Sequence, residues 1–175
     1  MFQSNQTRHK WLTCLLAVMF FAAFILPAGH ARAAENAGTC PREVLQAVVH
    51  VSGASLSGLL QQIPDERERA EVVRKFVRPV RFFPDNSGYI YVYTMDGLVV
   101  GHGGMPNLEG TNLIDHRDAK GGYDVRMAIR TAKAGGGFFE HYWQKPGLAG
   151  EFKKITYVET VAGTRYFIGA GAYIP

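Results

Sequence analysis

The chain has only two cysteines, Cys14 and Cys40, and the first lies inside an apolar run near the N-terminus. If that run is removed, Cys40 stands alone and no internal disulfide can form. Cys40 then reads as an unpaired thiol, with an intermolecular bridge or a metal as alternatives. No Cys-x-x-Cys-His string occurs, which excludes covalent haem of the c type. Cys14 sits early in the run, after Trp11-Leu12-Thr13, whereas a lipoprotein cysteine stands at its end, so lipidation is not expected. The run itself, residues 11–26, is shorter than the roughly 20 apolar residues that span a bilayer comfortably.

Strings that carry catalysis are missing as well. Gly53-Ala54-Ser55-Leu56-Ser57 lacks the second glycine of a nucleophile elbow. Gly101-His102-Gly103-Gly104 and Gly169-Ala170-Gly171 are too short for a dinucleotide fingerprint and read as a loop and a close-packed strand. His102 and His116 have no ligand string beside them that would mark a metal site. Nothing local pairs Cys40 with His141 as nucleophile and base. Asp115 and Asp118 read as turn chemistry. No enzyme, metal or cofactor is expected.

What the N-terminus does have is an export pattern. Arg8, His9 and Lys10 precede the apolar run, Pro27 and Gly29 break it, and Ala31-Arg32-Ala33 offers small residues where a signal peptidase reads. Residues 1–33 are expected to be a signal peptide, leaving 175 − 33 = 142 residues for one domain, 34–175. An uncleaved inner-membrane anchor is the alternative, and either way the folded part lies in the periplasm. The leader carries Arg8, Lys10 and Arg32 and no acid, so the remainder has 19 − 3 = 16 basic against 15 acidic side chains. That balance gives no reason to expect nucleic acid.

Helical spacing comes first in the mature chain. Val44, Val48, Val51, Leu59 and Ile63 mark a long helix, with Thr39 as a cap, Pro41 in its first turn and Pro64 at its end. Asp65 can cap a second helix through Arg78, whose Val72, Val73, Phe76 and Val77 form the buried stripe. From residue 89 the period becomes two: Tyr89, Tyr91 and Tyr93 alternate with Ile90, Val92 and Thr94, and Met95-Asp96-Gly97 supplies a hairpin turn. Residues 101–122 read as a long loop, a type that is often functional. A short amphipathic helix at residues 124–133 stops at Gly135-Gly136-Gly137, and strands follow at 138–144, 152–160 and 164–174.

Taken in order, Gly88-Tyr89-Ile90-Tyr91-Val92-Tyr93-Thr94-Met95-Asp96-Gly97-Leu98-Val99-Val100, Asp118, Gly135-Gly136-Gly137-Phe138, Tyr142-Trp143-Gln144-Lys145-Pro146-Gly147, Lys154-Ile155-Thr156-Tyr157-Val158 and Gly169-Ala170-Gly171-Ala172-Tyr173 form a pattern. It resembles the single Cache domain of bacterial extracytoplasmic sensors, in its second subfamily. The resemblance covers residues 88–173 closely and the helical region before them loosely. It implies an α+β, PAS-like fold, with a long N-terminal helix packed on a five-stranded antiparallel sheet. It also implies binding of a small molecule, commonly a short organic acid.

Such a site needs a few fixed donors in an apolar, aromatic cavity. Lys154 matches the family's Lys-x-Ser/Thr-Tyr pattern and is the expected counter-charge. Strand alternation sends Lys153 and Lys154 to opposite faces, so only one of them enters a cavity. Tyr91 and Tyr93 share a face that meets either the core or the pocket. His102 falls where the family often has Ala-His-Pro, although here the string is Gly101-His102-Gly103. Trp143 and Tyr142 are adjacent, so one of them faces the pocket. Arg126, with Arg130 four residues on, could offer guanidinium donors, and Tyr157 and Tyr173 complete the candidates. Arg81 is expected to be structural.

The expected function is that of a sensor that catalyses nothing, with closure of the 101–122 loop over the ligand as the signal. The last strand is followed only by Ile174 and Pro175, so a separate membrane-bound sensor, chemoreceptor or transporter is the expected partner. A homodimer through the N-terminal helix is a further possibility. The alternative is a periplasmic protein-interaction module with no ligand.

Overall fold

In the computed structural model of the protein, the structure describes residues 41–175. The signal peptide and its cleavage, the Thr39 cap and Cys40 lie outside the described residues.

Two helices open the described chain. Helix α1 (Pro41–Leu60) buries Leu45, Val49, Leu56 and Leu60 completely, each contributing on the order of 1.5–3 kcal/mol. Helix α2 (Glu66–Val77) starts where expected: the Asp65 carboxylate accepts from the Glu68 N–H at 2.9 Å, satisfying one of the free donors of the first turn. The remaining elements are β1 (Ile90–Thr94), β2 (Val99–His102), α3 (Asp124–Lys133), β3 (Gly137–Gln144), β4 (Glu151–Thr160) and β5 (Tyr166–Tyr173).

The five strands form one antiparallel sheet in the order β2-β1-β5-β4-β3. Sequence neighbours pair in two hairpins, β1 with β2 and β3 with β4. The last strand then inserts between β1 and β4, so the sheet is not a simple meander. Residues 103–136 therefore carry the chain from one edge strand to the other across one face, with α3 packed on β3 and β4. The 101–122 segment has more order than a plain loop. It contains a 3-10 turn at Pro106–Leu108 and hydrogen-bonds along the β2 edge, where Val99 N donates to Thr111 O at 2.9 Å and Gly110 N to Val99 O at 2.8 Å. Glu109 ties it to α2 by pairing with Arg74 at 3.6 Å and with Arg78, the residue that follows the helix, at 2.6 Å. Arg81 acts structurally, with Nη1 donating to Val80 O at 2.7 Å and Nη2 to Gly103 O.

Both faces of the sheet are covered, which explains why all five residues of β1 are buried. Ile90, Val92, Ile155, Ile168 and Ala170 face α1 and α2. Tyr91, Tyr93, Phe139, Val158 and Phe167 face α3 and the crossing segment. On that second face the middle of β5, between Phe167 and Tyr173, is bare. A Cβ on Gly169 would meet the Tyr91 hydroxyl at 2.5 Å, and one on Gly171 would meet Lys154 Cε at 2.4 Å. The two glycines make room for larger side chains from the flanking strands.

Gly171→Ala is expected to lower stability by about 1–3 kcal/mol in urea unfolding, through overpacking. Gly58→Ala, in α1 with nothing within 4 Å of the added carbon, is expected to raise it by about 0.5–1 kcal/mol.

Candidate functional site

The register of the sheet assembles a set of polar side chains on the face covered by α3. His141 on β3 pairs with Lys154 on β4, which pairs with Tyr173 on β5, while Tyr91 on β1 pairs with His102 on β2. Tyr89, Tyr91, Tyr93, His102, Asp124, Phe139, His141, Trp143 and Lys154 line one cavity with Val125 and Ala128. Its free volume is about 20 Å³, room for roughly one water molecule. A wider cleft of about 330 Å³ lies on the other side of Trp143, walled by His116 and by Met105, Leu108 and Leu113 of the crossing segment.

Lys154 is only 1% exposed, and among the described residues no Asp or Glu pairs with its ammonium. Its Nζ donates to Tyr89 Oη at 2.7 Å and lies 4.0 Å from the centre of the Tyr89 ring and 4.8 Å from that of Tyr173. These faces offer an electrostatic cage, which only partly replaces water. Burial consequently pulls Lys154 down from its ordinary value to about 7. From Tyr89 the hydrogen bonds continue to Tyr173 Oη at 3.3 Å, and Tyr173 donates to Gln144 O at 2.6 Å.

His102 is held in one tautomer. Its Nδ1 accepts from Met105 N at 2.8 Å, which places the proton on Nε2. Burial first, then the nearby Lys154 charge, push its pKa down to about 3, so the ring is neutral at ordinary pH. It stacks on Tyr91 and Trp143 with ring centres 5.9 and 6.1 Å apart. Burial raises the hydroxyl pKa values of Tyr89, Tyr91 and Tyr93 well above the usual, so they remain neutral donors.

Asp124, the first residue of α3, is held beside the sheet by a turn below it. Burial opposes a charge on Asp118, but N–H groups of Gly122, Tyr142 and Lys120 bond its carboxylate and keep its pKa below the ordinary value. That turn ties the start of α3 to β3. Asp124 Oδ1 lies 2.8 Å from His116 Nδ1, while Oδ2 is 3.5 Å from His141 Nδ1, too far for a satisfying bond. Among the described residues, His141 Nδ1 and Trp143 Nε1 are buried without hydrogen-bond partners.

Of the residues singled out in the sequence, the structure brings Tyr91, Tyr93, His102, Trp143 and Lys154 together in one cavity. Tyr173 packs against Lys154 outside the lining. Tyr157 faces the opposite side of the sheet, where it packs on Phe138 with ring centres 4.7 Å apart. Its separation from Lys154 is odd, and alternation sends the two to different faces. Arg126 is on the exposed side of α3, where Nε donates to Ile114 O at 3.0 Å and Nη2 pairs with Asp115. Lys153 pairs with Glu140 on the other face at 3.0 Å. Tyr89, Asp124 and His141 were not among the candidates. Tyr89 precedes Tyr91 by two residues and His141 precedes Trp143 by two, so strand parity could have found both. Asp124 had no such signal.

The sequence model dCache_2, described as a Cache domain, matches residues 58–175. The chain belongs to the Cache domain family. Over 87 residues it is 33% identical to the sensor histidine kinase MctS of Rhizobium johnstonii, a stretch covering 50% of this chain and 19% of the kinase, so the chain spans about a fifth of that relative. The Cache fold recurs in a periplasmic sensor domain of a chemotaxis protein, at 26% identity and a TM-score of 0.66, covering 77% of this chain and 95% of that one. It recurs again, at 22% identity and a TM-score of 0.67, in a Cache chemosensory domain described for its carboxylic acid recognition, covering 76% and 92%. The family is one of sensor and ligand-binding domains.

Burial of Lys154 is expected to make the stability of the fold depend on pH. The unfolded chain keeps this proton up to about pH 10.5, whereas the folded chain releases it from about 7. Between these values the unfolded state binds more protons, so stability rises with pH. Above about pH 10 the buried tyrosines reverse the trend. The urea midpoint is expected to climb between about pH 7 and 9.5, and Lys154→Met to flatten that climb.

Proposed function

We propose that this chain is an extracytoplasmic sensor that binds a small organic acid through Lys154. Its occupancy is read by a membrane-bound protein: a sensor kinase, a chemoreceptor or a transporter. The observation that carries the reading is an ammonium enclosed in the fold with no acidic partner among the described residues. An unpaired buried charge is costly, and an incoming carboxylate removes that cost by forming an ion pair in a place screened from water. The His102 Nε2–H and the tyrosine hydroxyls lining the cavity can complete the carboxylate's hydrogen bonds. The carboxylic acid recognition described for one Cache relative supports the same chemistry.

The free space takes roughly one water molecule, so a ligand must displace part of the wall. The side chains between the cavity and the outer cleft, Trp143 above all, are the ones to move. The crossing segment carries part of that outer wall, and its displacement on binding is the signal in this reading. We place the sensor in the periplasm, exported by residues 1–33, with the leader cleaved after Ala33.

A second reading is a protein-interaction module, which the outer face of α1 favours. Residues 44–64 contain no Asp, Glu, Lys or Arg, and Val51 and Leu59 are 64% and 50% exposed. The same face would serve a homodimer. Thermal stabilisation by millimolar carboxylates distinguishes the readings, because only a binder is stabilised by mass action.

Carboxylate affinity is expected to fall above about pH 7, approaching tenfold per pH unit in calorimetric titrations, because the ligand requires the protonated amine. Lys154→Met is expected to abolish measurable binding. Arg126→Ala and Tyr157→Phe should leave affinity within about threefold of the parent, since neither side chain reaches the cavity. Retained binding in Lys154→Met would overturn the assignment of the counter-charge.

A further inference from the structure

Charge is not spread evenly over this domain. Residues 115–133 carry five basic side chains, Arg117, Lys120, Arg126, Arg130 and Lys133, and all five are exposed. Three acids stand among them, but Asp118 and Asp124 are buried, with carboxylates turned to N–H groups and to histidines. Asp115 is exposed and pairs with Arg126. Helix α2 is the contrast. Its four basic residues are mixed with three glutamates, and Arg69 lies 3.0 Å from Glu66, as on a solvated face.

Arg126, Arg130 and Lys133 recur at helical spacing and form one stripe on the outside of α3. The inner side of the same helix puts Asp124, Val125 and Ala128 into the cavity. Arg117 extends the stripe from the turn before the helix. Its guanidinium carbon lies 4.0 Å from the centre of the Tyr123 ring, and that of Arg126 lies 4.2 Å from the same centre. Carbonyls hold both groups: Arg117 Nη1 donates to Gly121 O and Arg126 Nε to Ile114 O, each at 3.0 Å. Among the described residues no acid pairs with Arg117, Lys120, Arg130 or Lys133. Like charges gathered in this way repel one another until an acidic surface meets them. Side chains already held lose less freedom on binding, and arginine beside tyrosine suits an interface. Of the described residues, the exposed large apolar ones are Val51, Leu59, Leu148 and Phe152, so the stripe has nothing to insert into lipid.

We infer that the outer face of α3, with the turn before it, docks the membrane-bound reader, and that the reader presents a cluster of Asp and Glu side chains. This rests on the reading that a separate protein reports occupancy, and it adds where that protein binds and by what chemistry. The place suits the task. One helix meets the ligand on its inner side and the reader on its outer side, so a shift of α3 is transmitted without an intermediary.

The test titrates the purified protein with poly-L-glutamate and, separately, with vesicles of phosphatidylglycerol. Polyglutamate is expected to bind, with affinity falling about tenfold or more between roughly 0.05 and 0.3 M salt as the charges are screened. Arg130→Ala combined with Lys133→Ala should weaken it about tenfold, because both charges face the polymer. Arg67→Ala combined with Lys75→Ala removes the same charge from exposed positions on α2 and should change it by less than about twofold. Equal losses in the two pairs would overturn the docking face, since net charge alone would then explain binding. Vesicle binding as tight as that of polyglutamate would overturn the acidic protein in favour of a lipid surface. Absence of polyglutamate binding would overturn the docking face, and a melting midpoint that still rises with millimolar carboxylate would then leave the Lys154 reading standing. The contrast between the two pairs, found in a protein that no carboxylate stabilises, would support the docking face and count against the Lys154 reading alone.

Discussion

An ammonium enclosed with no counter-ion among the described residues is the constraint around which this domain is arranged. Lys154 lies on β4, flanked by β3 and β5, where water cannot reach it, and the sheet compensates with aromatic faces and one phenolic oxygen. Each neighbouring choice follows from that placement. Gly171 is bare because the lysine stem occupies the space above it. Tyr89 and Tyr173 stand where they can share the charge, and His102 stays neutral partly because a second cation beside the first would be repelled. Such an arrangement is poor economy for stability and good design for a receptor, since the missing partner is what the ligand brings.

The second determinant is the path of the chain. Because β5 takes the central place beside β1, the segment between the two hairpins must travel from edge to edge, and it does so over the face that carries Lys154. Asp118 and Glu109 fasten this segment at separate points, one to β3 and one to α2. The cover of the site is therefore attached to both ends of the sheet and to a helix on the opposite face. A change in its position reaches elements that never touch the cavity.

Much of this was legible in the sequence because the relevant patterns are periodic. Tyr91 and Tyr93 share parity, Asp65 announces a helix, and the order of strings from Gly88 to Tyr173 carries the family. Parity applied consistently would also have added Tyr89 and His141 and set Tyr157 apart from Lys154. The position of β5 was harder to read, because nothing local tells a last strand to pair with the first. Asp124 was hidden for a different reason. An acid in the first turn of a helix is ordinary, and only the fold reveals that this one is buried against two histidines.

The central position of β5 also sets when the site comes into being. Tyr91 is paired with Gly169 across a span of chain that includes most of the domain, so the cavity has no floor until the last strand has docked. Pairings this distant in sequence close late, after the local hairpins and helices have formed. A ligand thus has nothing to hold during the early steps of folding. Once bound, it opposes withdrawal of β5, acting on the lifetime of the finished domain more than on the speed of its assembly.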